Sequence, residues 1–174
     1  NNNKIVYQRD LGFNNEIYMF DLYTNKERRI TTNSVHDEYP AIYGSKIVWQ
    51  SYRNSNNDIY MFDLDTNTER RITTDTGSQY NPVINENKIV WMDIRDGNYE
   101  IYMYDLDTNT ERRITNDPGY QKYPVIYSNK IVWTDSRDGN YEIYMYDLDT
   151  NTERQITTNS ASDQYPAIYG SKIV

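Results

Sequence analysis

Two short segments of the sequence concentrate oxygen ligands of the kind that bind hard cations. DIRDGNYE, from Asp93 to Glu100, and DSRDGNYE, from Asp135 to Glu142, both carry aspartate, asparagine and glutamate side chains. A calcium loop spaces its ligands at alternate positions over a longer span, and these segments do not. Their central Asp-Gly pair is typical of a hairpin turn. We therefore predict turns at both places, with no metal site and no cofactor.

Arginines recur just before these turns, as Arg53, Arg95 and Arg137. They could form a positive ring for an anionic ligand, or each could bridge an acidic residue of its own or a neighbouring repeat. We expect the ion pairs. The three arginines, with Asp93 and Asp135, remain candidate contacts for a binding partner.

His36 is the only histidine, and cysteine is absent. A catalytic triad or a histidine metal site needs partners at defined positions, and the sequence points to none. Cysteine-based nucleophiles, zinc sites and disulfides are excluded. The sequence therefore predicts a protein that is not an enzyme. His36, which lies in a loop without a counterpart in the other repeats, is a further candidate partner contact.

These residues recur because the whole sequence is repeated. KIV begins at Lys4, Lys46, Lys88, Lys130 and Lys172, always at a step of 42 residues. Each repeat contains four short segments rich in β-branched and aromatic residues, separated by turns. In the last complete repeat these segments are YPVIY, KIVWTD, YEIYMYDL and ERQIT. Four strands in about 40 residues are the signature of a propeller blade.

The sequence thus predicts an all-β protein, a β-propeller of four 42-residue blades, each a four-stranded antiparallel sheet. The third strand is apolar on both sides, so neighbouring blades should cover both of its faces. Trp49, Trp91 and Trp133 should pack between blades. Asn151, in the DTNT turn, can adopt the left-handed conformation. The charged ERR segments should lie on outer strands and discourage edge pairing.

The loop that crosses from one blade to the next is the least repeated part of the chain. Because this crossing loop and the RDGN turn follow strands that run in the same direction, both should project from one face. Tyr39, Tyr123 and Tyr165 lie where the loop enters the inner strand, and Asn81 takes that place in the second repeat. Loops on rigid scaffolds commonly carry recognition. We predict that these tyrosines contact a partner, the alternative being relaxed constraint on loop tips.

At SRDGNYEIYMYDLDTNTERQIT the sequence resembles the TolB-like propeller repeat, with its R-D-G-N-x-x-I-Y core, its aspartate in the third strand and its terminal Ile-Thr. The resemblance covers all four repeats. It implies an extracytoplasmic setting, at the cell surface, secreted or periplasmic, and a protein-binding platform rather than a catalyst. The S-P-D-G turn usual between the first two strands is replaced by YGSK, NENK and YSNK. A surface-protein module that binds a protein or glycan is therefore a better analogue than a protein of the Tol system.

The net charge of −8 argues against nucleic acid and anionic membranes as partners. No apolar run approaches the length of a membrane-spanning helix, so membrane insertion is not expected. The opening NNNKIV lacks the regions of a signal peptide.

Residues 1–174 are predicted to form a single domain whose final segment, 166–174, repeats 40–48 letter for letter. This segment could supply an inner strand that closes a four-blade ring. Alternatively, the chain is part of a larger ring or array, completed by a second copy as a head-to-tail homodimer or by further sequence of a longer protein, and could act as a self-assembling surface coat. The sequence leaves both readings open.

Overall fold

The computed structural model describes residues 3–174, which form β-strands and turns and contain no helix. The chain divides into two compact units, Asn1–Glu86 and Asn87–Val174. The described part of the chain has no helix long and apolar enough to cross a membrane.

The first unit contains a three-stranded sheet of order β1-β2-β3, a four-stranded sheet of order β4-β5-β6-β7, and strand β8, which packs beside β4. The paired strands are antiparallel. The strands are β1 (Lys4–Asp10), β2 (Asn15–Asp21), β3 (Lys26–Arg29), β4 (Asp37–Tyr43), β5 (Lys46–Ser51), β6 (Asp58–Asp63), β7 (Thr68–Arg71) and β8 (Gln79–Asn85).

The second unit repeats this arrangement. Strands β9, β10 and β11 pair in order, β12 to β15 form a four-stranded antiparallel sheet, and β16 and β17 form a short hairpin. The strands are β9 (Lys88–Asp93), β10 (Glu100–Asp105), β11 (Thr110–Arg113), β12 (Gln121–Tyr127), β13 (Lys130–Asp135), β14 (Glu142–Asp147), β15 (Thr152–Gln155), β16 (Ile168–Tyr169) and β17 (Lys172–Ile173). The predicted four-stranded blades are thereby confirmed.

The core lies between successive sheets, as predicted. In the first unit Ile17 and Met19 of β2 share one buried cluster with Ile47 and Trp49 of β5. Trp49 is fully buried and stacks on Tyr60, its partner across the strand pair, with ring centroids 6.1 Å apart. Apolar side chains on both sides of the middle strands therefore join one blade to the next.

The DTNT turns also have the predicted geometry. Asn25, Asn67, Asn109 and Asn151 have φ between 53° and 56°. Asparagine tolerates this left-handed conformation better than most residues because its short polar side chain bonds locally. The aspartate that opens the turn, such as Asp147, accepts hydrogen bonds from the main-chain N–H groups of Asp149 (3.0 Å) and Thr150 (3.4 Å).

Candidate binding face

An asparagine of each RDGN-type turn holds the crossing loop that leaves the same blade. The Asn98 Nδ2 donates to the carbonyl oxygens of Asp117 (3.2 Å) and Gly119 (2.7 Å). The same pair of bonds recurs from Asn14, Asn56 and Asn140. Turn and loop therefore lie side by side at one end of the strands, as predicted, and we call this end the crossing-loop face. Because the acceptors are main-chain carbonyls, the loop side chains take no part in the clamp.

Each crossing loop enters the inner strand through a residue with a left-handed backbone. The φ angles are 52° at Tyr39, 55° at Tyr123 and 57° at Tyr165, and Asn81 has the same conformation at 51°. In β4 and β12 the pairing register shifts at this residue, which marks a β-bulge. A bulge redirects a side chain, and a left-handed tyrosine is strained by about 1 kcal/mol or more. Tyr39 is 52% and Tyr165 66% exposed.

A hydrogen bond from the preceding blade holds each of these left-handed residues. The main-chain N–H of the left-handed residue donates to a side chain of the second strand in that blade. The four bonds are Tyr39 to Gln8 Oε1 (2.9 Å), Asn81 to Gln50 Oε1 (3.0 Å), Tyr123 to Met92 Sδ (3.2 Å) and Tyr165 to Thr134 Oγ1 (3.1 Å). The strained conformation is thus held by partners outside its own sheet.

Tyrosines gather on the crossing-loop face of the second unit. The rings of Tyr123 and Tyr165 lie 4.6 Å apart, and those of Tyr99 and Tyr120 meet edge to face at 6.0 Å. A hydrogen bond with Tyr165, followed by burial, raises the pKa of Tyr123, and the nearby Tyr141 phenol adds to the increase. We call these five residues the tyrosine cluster. The corresponding positions of the first unit are Asn15, His36, Tyr39, Asn57 and Asn81.

No protein-family model matches the chain, and no curated protein matches it in sequence. Solved structures do match. TolB from Acinetobacter baumannii has a TM-score of 0.75 and 24% identity, covering 94% of this chain and 43% of that one. A putative TolB from Agrobacterium tumefaciens has a TM-score of 0.74 and 18% identity, covering 88% of this chain and 60% of that one. The fold is that of a TolB-type β-propeller.

The TolB-type fold confirms the resemblance seen in the sequence, although the chain spans only 43% and 60% of the two TolB structures. A structure from an analysis of two prolyl endopeptidases also matches, with a TM-score of 0.70 and 12% identity over 88% of this chain and 24% of that one. At these identities the likeness concerns the fold alone. The likeness therefore establishes the fold of the blades, and any role of the crossing-loop face depends on its own residues.

The recurring arginines form ion pairs. Arg95 bonds to Asp93 and Glu111, both at 2.6 Å, and its guanidinium lies 4.3 Å from the ring centroid of Tyr102. The other two follow the same plan: Arg53 with Asp37, Glu69 and Tyr60, and Arg137 with Asp135, Asp117, Glu153 and Tyr144. The guanidinium groups therefore hold the blade together, because each joins a buried carboxylate to the outer strand.

The two aspartates selected from the sequence are interior residues. Asp93 and Asp135 are 0% and 1% exposed, and they accept hydrogen bonds from the indole N–H groups of Trp91 (3.0 Å) and Trp133 (2.9 Å). Their burial excludes them from the crossing-loop face. Among residues 3–174 no group of three or more histidine, cysteine or acidic side chains is arranged to hold a metal ion.

His36 has a counterpart in other blades, contrary to the sequence interpretation. Its Nδ1 accepts the main-chain N–H of Asn15 at 3.3 Å, and the hydroxyls of Ser78 and Ser162 accept the corresponding N–H groups. The imidazole thus occupies an acceptor position that serine fills elsewhere. The sequence could not reveal this role, because histidine and serine have little in common besides their ability to form hydrogen bonds.

Sequence reasoning also missed Arg9. In the first blade, Leu11 stands where the others carry arginine. Arg9, two residues earlier, reaches the same place: its guanidinium lies 4.1 Å from the Tyr18 ring centroid and pairs with Glu27 at 2.6 Å. The repeated arrangement is therefore of guanidinium, ring and carboxylate, and two different backbone positions can supply the guanidinium.

Proposed function

We propose that this chain is a non-catalytic propeller module that binds a protein or glycan partner with its crossing-loop face. The left-handed tyrosines carry the proposal. Tyr39 and Tyr165 expose half or more of their side chains while the backbone is held in a strained conformation. Strain of this kind persists where function uses it. Tyrosine suits recognition because it offers a large, rigid and amphipathic contact at low entropic cost.

The absence of catalytic activity and an extracytoplasmic setting belong to the same proposal. The two residues that could take part in a reaction are engaged in structural bonds. His36 accepts a main-chain N–H, and Arg137 pairs with three carboxylates. The likeness to TolB structures supports the setting. A hydrolase assay in which changing His36 or Arg137 abolished turnover without unfolding the chain would contradict the non-catalytic role.

Replacing the three left-handed tyrosines tests the binding role. The triple change Tyr39→Ala, Tyr123→Ala and Tyr165→Ala should remove binding to an array of immobilised polysaccharides and peptides, and should preserve a cooperative thermal melt. Tyr23→Ala is the matched control, because Tyr23 is 85% exposed in the turn between β2 and β3, at the opposite end of the strands. Binding that survives the triple change, or is lost with Tyr23, would reject the crossing-loop face.

A second candidate is self-association through β1. This strand is the edge of its three-stranded sheet, and Ile5 is 49% exposed, whereas the equivalent Ile47, in β5 between β4 and β6, is fully buried. Unpaired edges attract further strands. Residues 166–169 carry the β4 sequence PAIY and could supply that strand from a second copy, which would make the chain a self-assembling element.

A further inference from the structure

We propose that the tyrosine cluster of the second unit is a binding site for a neutral glycan. The inference rests on the proposed function and names the chemical class of its partner. The cluster combines five phenol rings from turn, crossing loop and inner strand, of which Tyr120 is 48% and Tyr165 66% exposed. Sugars present C–H faces that stack on aromatic rings, and hydroxyl groups that exchange hydrogen bonds with phenols.

The charges around the cluster disfavour a cationic ligand. The Lys122 ammonium already lies 4.6 Å from the Tyr99 ring centroid and 4.7 Å from that of Tyr120. This is the distance at which a cation binds the face of an aromatic ring. A ligand cation would have to displace Lys122 or approach it against charge repulsion.

Carboxylates of the turns and the crossing loop that carry Tyr99, Tyr120 and Tyr141 are engaged as well. Asp96 accepts the hydroxyl of Tyr102 at 2.6 Å and pairs with Arg113 at 3.1 Å. Asp117 pairs with Arg137 at 3.0 Å, and Asp138 accepts the hydroxyl of Tyr144. A cationic peptide would therefore have to compete with existing bonds for its counter-charge.

An anionic ligand is disfavoured by the whole chain, whose net charge is −8. A neutral polyhydroxylated ligand avoids both penalties. The phenols suit such a ligand because a tyrosine hydroxyl is protonated at neutral pH and can both donate and accept a hydrogen bond. Several rings close together also favour an oligosaccharide over a single sugar, since each ring can stack on a different residue of the ligand.

The two units provide an internal comparison. Tyr39 occupies the same bulge in the first unit, but its neighbours at the cluster positions are polar. If the cluster is the glycan site, Tyr165→Ala or Tyr123→Ala should weaken binding about tenfold or more, as truncating a central aromatic contact does. Tyr23→Ala should change the affinity by less than about twofold, and Tyr39→Ala should weaken binding less than Tyr165→Ala does.

Calorimetric titration of the full chain tests the class of ligand. The probes are laminarihexaose, mannohexaose and chitohexaose as neutral glycans, a galacturonate oligomer as the anionic one, and a lysine-rich peptide as the cationic one. We expect a neutral glycan to bind with an affinity that is unchanged in 1 M NaCl and by Lys122→Gln, because no charge is involved. Thermal melts confirm that each variant is folded.

Failure of this inference can be told apart from failure of the proposed function. Binding of none of the neutral probes, or of the anionic or cationic probe alone, would overturn the glycan assignment. If the bound peptide or anion is then lost with Tyr165→Ala, the crossing-loop face still binds a partner and the proposed function stands. Binding of any probe that survives the triple tyrosine change would overturn both.

Discussion

The buried carboxylate that joins arginine and tryptophan changes strand between blades but keeps its partners. In β13 it is Asp135, which faces Gln121 across the strand pair. In the blade of β4 and β5 the positions are exchanged, so that Asp37 faces Ser51. Either arrangement places one charge between the indole N–H and the guanidinium. What recurs is thus a set of contacts, and the residue positions that supply it can vary.

Removing the arginine from this set of aspartate, arginine and tryptophan should lower the stability of the fold. Arg95→Met would leave Asp93 buried without its counter-charge, and we expect the free energy of unfolding to fall by about 3 kcal/mol. Urea unfolding measures the loss. Arg154→Met is the control, because Arg154 is exposed on the outer strand. Adding Asp93→Asn to Arg95→Met should restore part of the stability, and no recovery in the double variant would reject the buried pair as the cause.

Replacing Tyr39 by glycine and by alanine tests the backbone strain at the bulge independently of any binding partner. Because Tyr39 has a φ of 52°, Tyr39→Gly should relieve backbone strain. The free energy of unfolding of the glycine variant should exceed that of Tyr39→Ala by about 1 kcal/mol, and its unfolding temperature should be higher. Tyr43→Gly and Tyr43→Ala form the matched pair on the same strand, where φ is not positive, and there glycine should be the less stable. Equal ranking at both sites would show that the bulge is not strained.

At the scale of the strand, a buried acid opens the third strand of each blade. Glu16, Asp58 and Glu100 pair with Arg29, Arg71 and Arg113 of the outer strand, at distances of 3.1, 2.9 and 2.7 Å. Arg113 bonds at the same time to the carbonyl of Thr115. The charged outer strands therefore anchor the blade, in addition to the role against edge pairing that the sequence predicts.

The last blade departs from this plan, and the departure predicts a stabilising change. Glu142 is 2% exposed and bonds to Asn140 and Thr157, while Gln155 stands where the other blades have arginine. Gln155→Arg should add a charge-assisted bond and raise the free energy of unfolding by about 1 kcal/mol. Arg113→Gln should have the opposite effect in the preceding blade. If both changes prove neutral, the pair contributes nothing.

The turn aspartates predict loss of stability in acid. Lys130, followed by the main-chain N–H of Asp149, lowers the pKa of Asp147, so this carboxylate favours the folded state above its unfolded pKa of about 3.9. The contribution disappears as the pH falls through the folded pKa. Asp147→Asn should therefore lower stability at pH 7 and weaken the dependence on pH below 4, as measured by urea unfolding.

Glu153 serves as a control, because its effect on the pH dependence of stability has the opposite sign to that of Asp147. Burial raises the pKa of this carboxyl, so its contribution to stability grows as the pH falls. Glu153→Gln should make the acid loss steeper than in the original chain. A shallower loss would contradict the assignment of the two groups.

The strands could be predicted because period, β-branched runs and turn residues agree: KIVWTD and β13 have the same bounds. The asparagine clamp also left a signal, since Asn14, Asn56, Asn98 and Asn140 recur at the repeat step. The tyrosine cluster left a signal only at Tyr123 and Tyr165, which share a repeated position with Tyr39. Tyr99 belongs to a turn and Tyr120 to a crossing loop, and they meet only because the clamp brings these segments together.

At the scale of the whole molecule, self-association through β1 predicts a measurable mass. If a second copy covers this edge, light scattering behind a sizing column should give a multiple of 20.8 kDa, and deletion of 166–174 should reduce it. Ile5→Lys places a charge on the exposed edge and should have the same effect. A mass of 20.8 kDa at every concentration would reject self-association and leave ligand binding as the role of the chain.

The asparagine clamp has a consequence for how such a chain can change over time. Since the clamp asparagine bonds only to main-chain carbonyl oxygens of the crossing loop, side chains at the loop tips can change without loss of these two bonds. New specificities could then arise by mutation at the loop tips, as they do in the hypervariable loops of antibodies, while the blades stay the same.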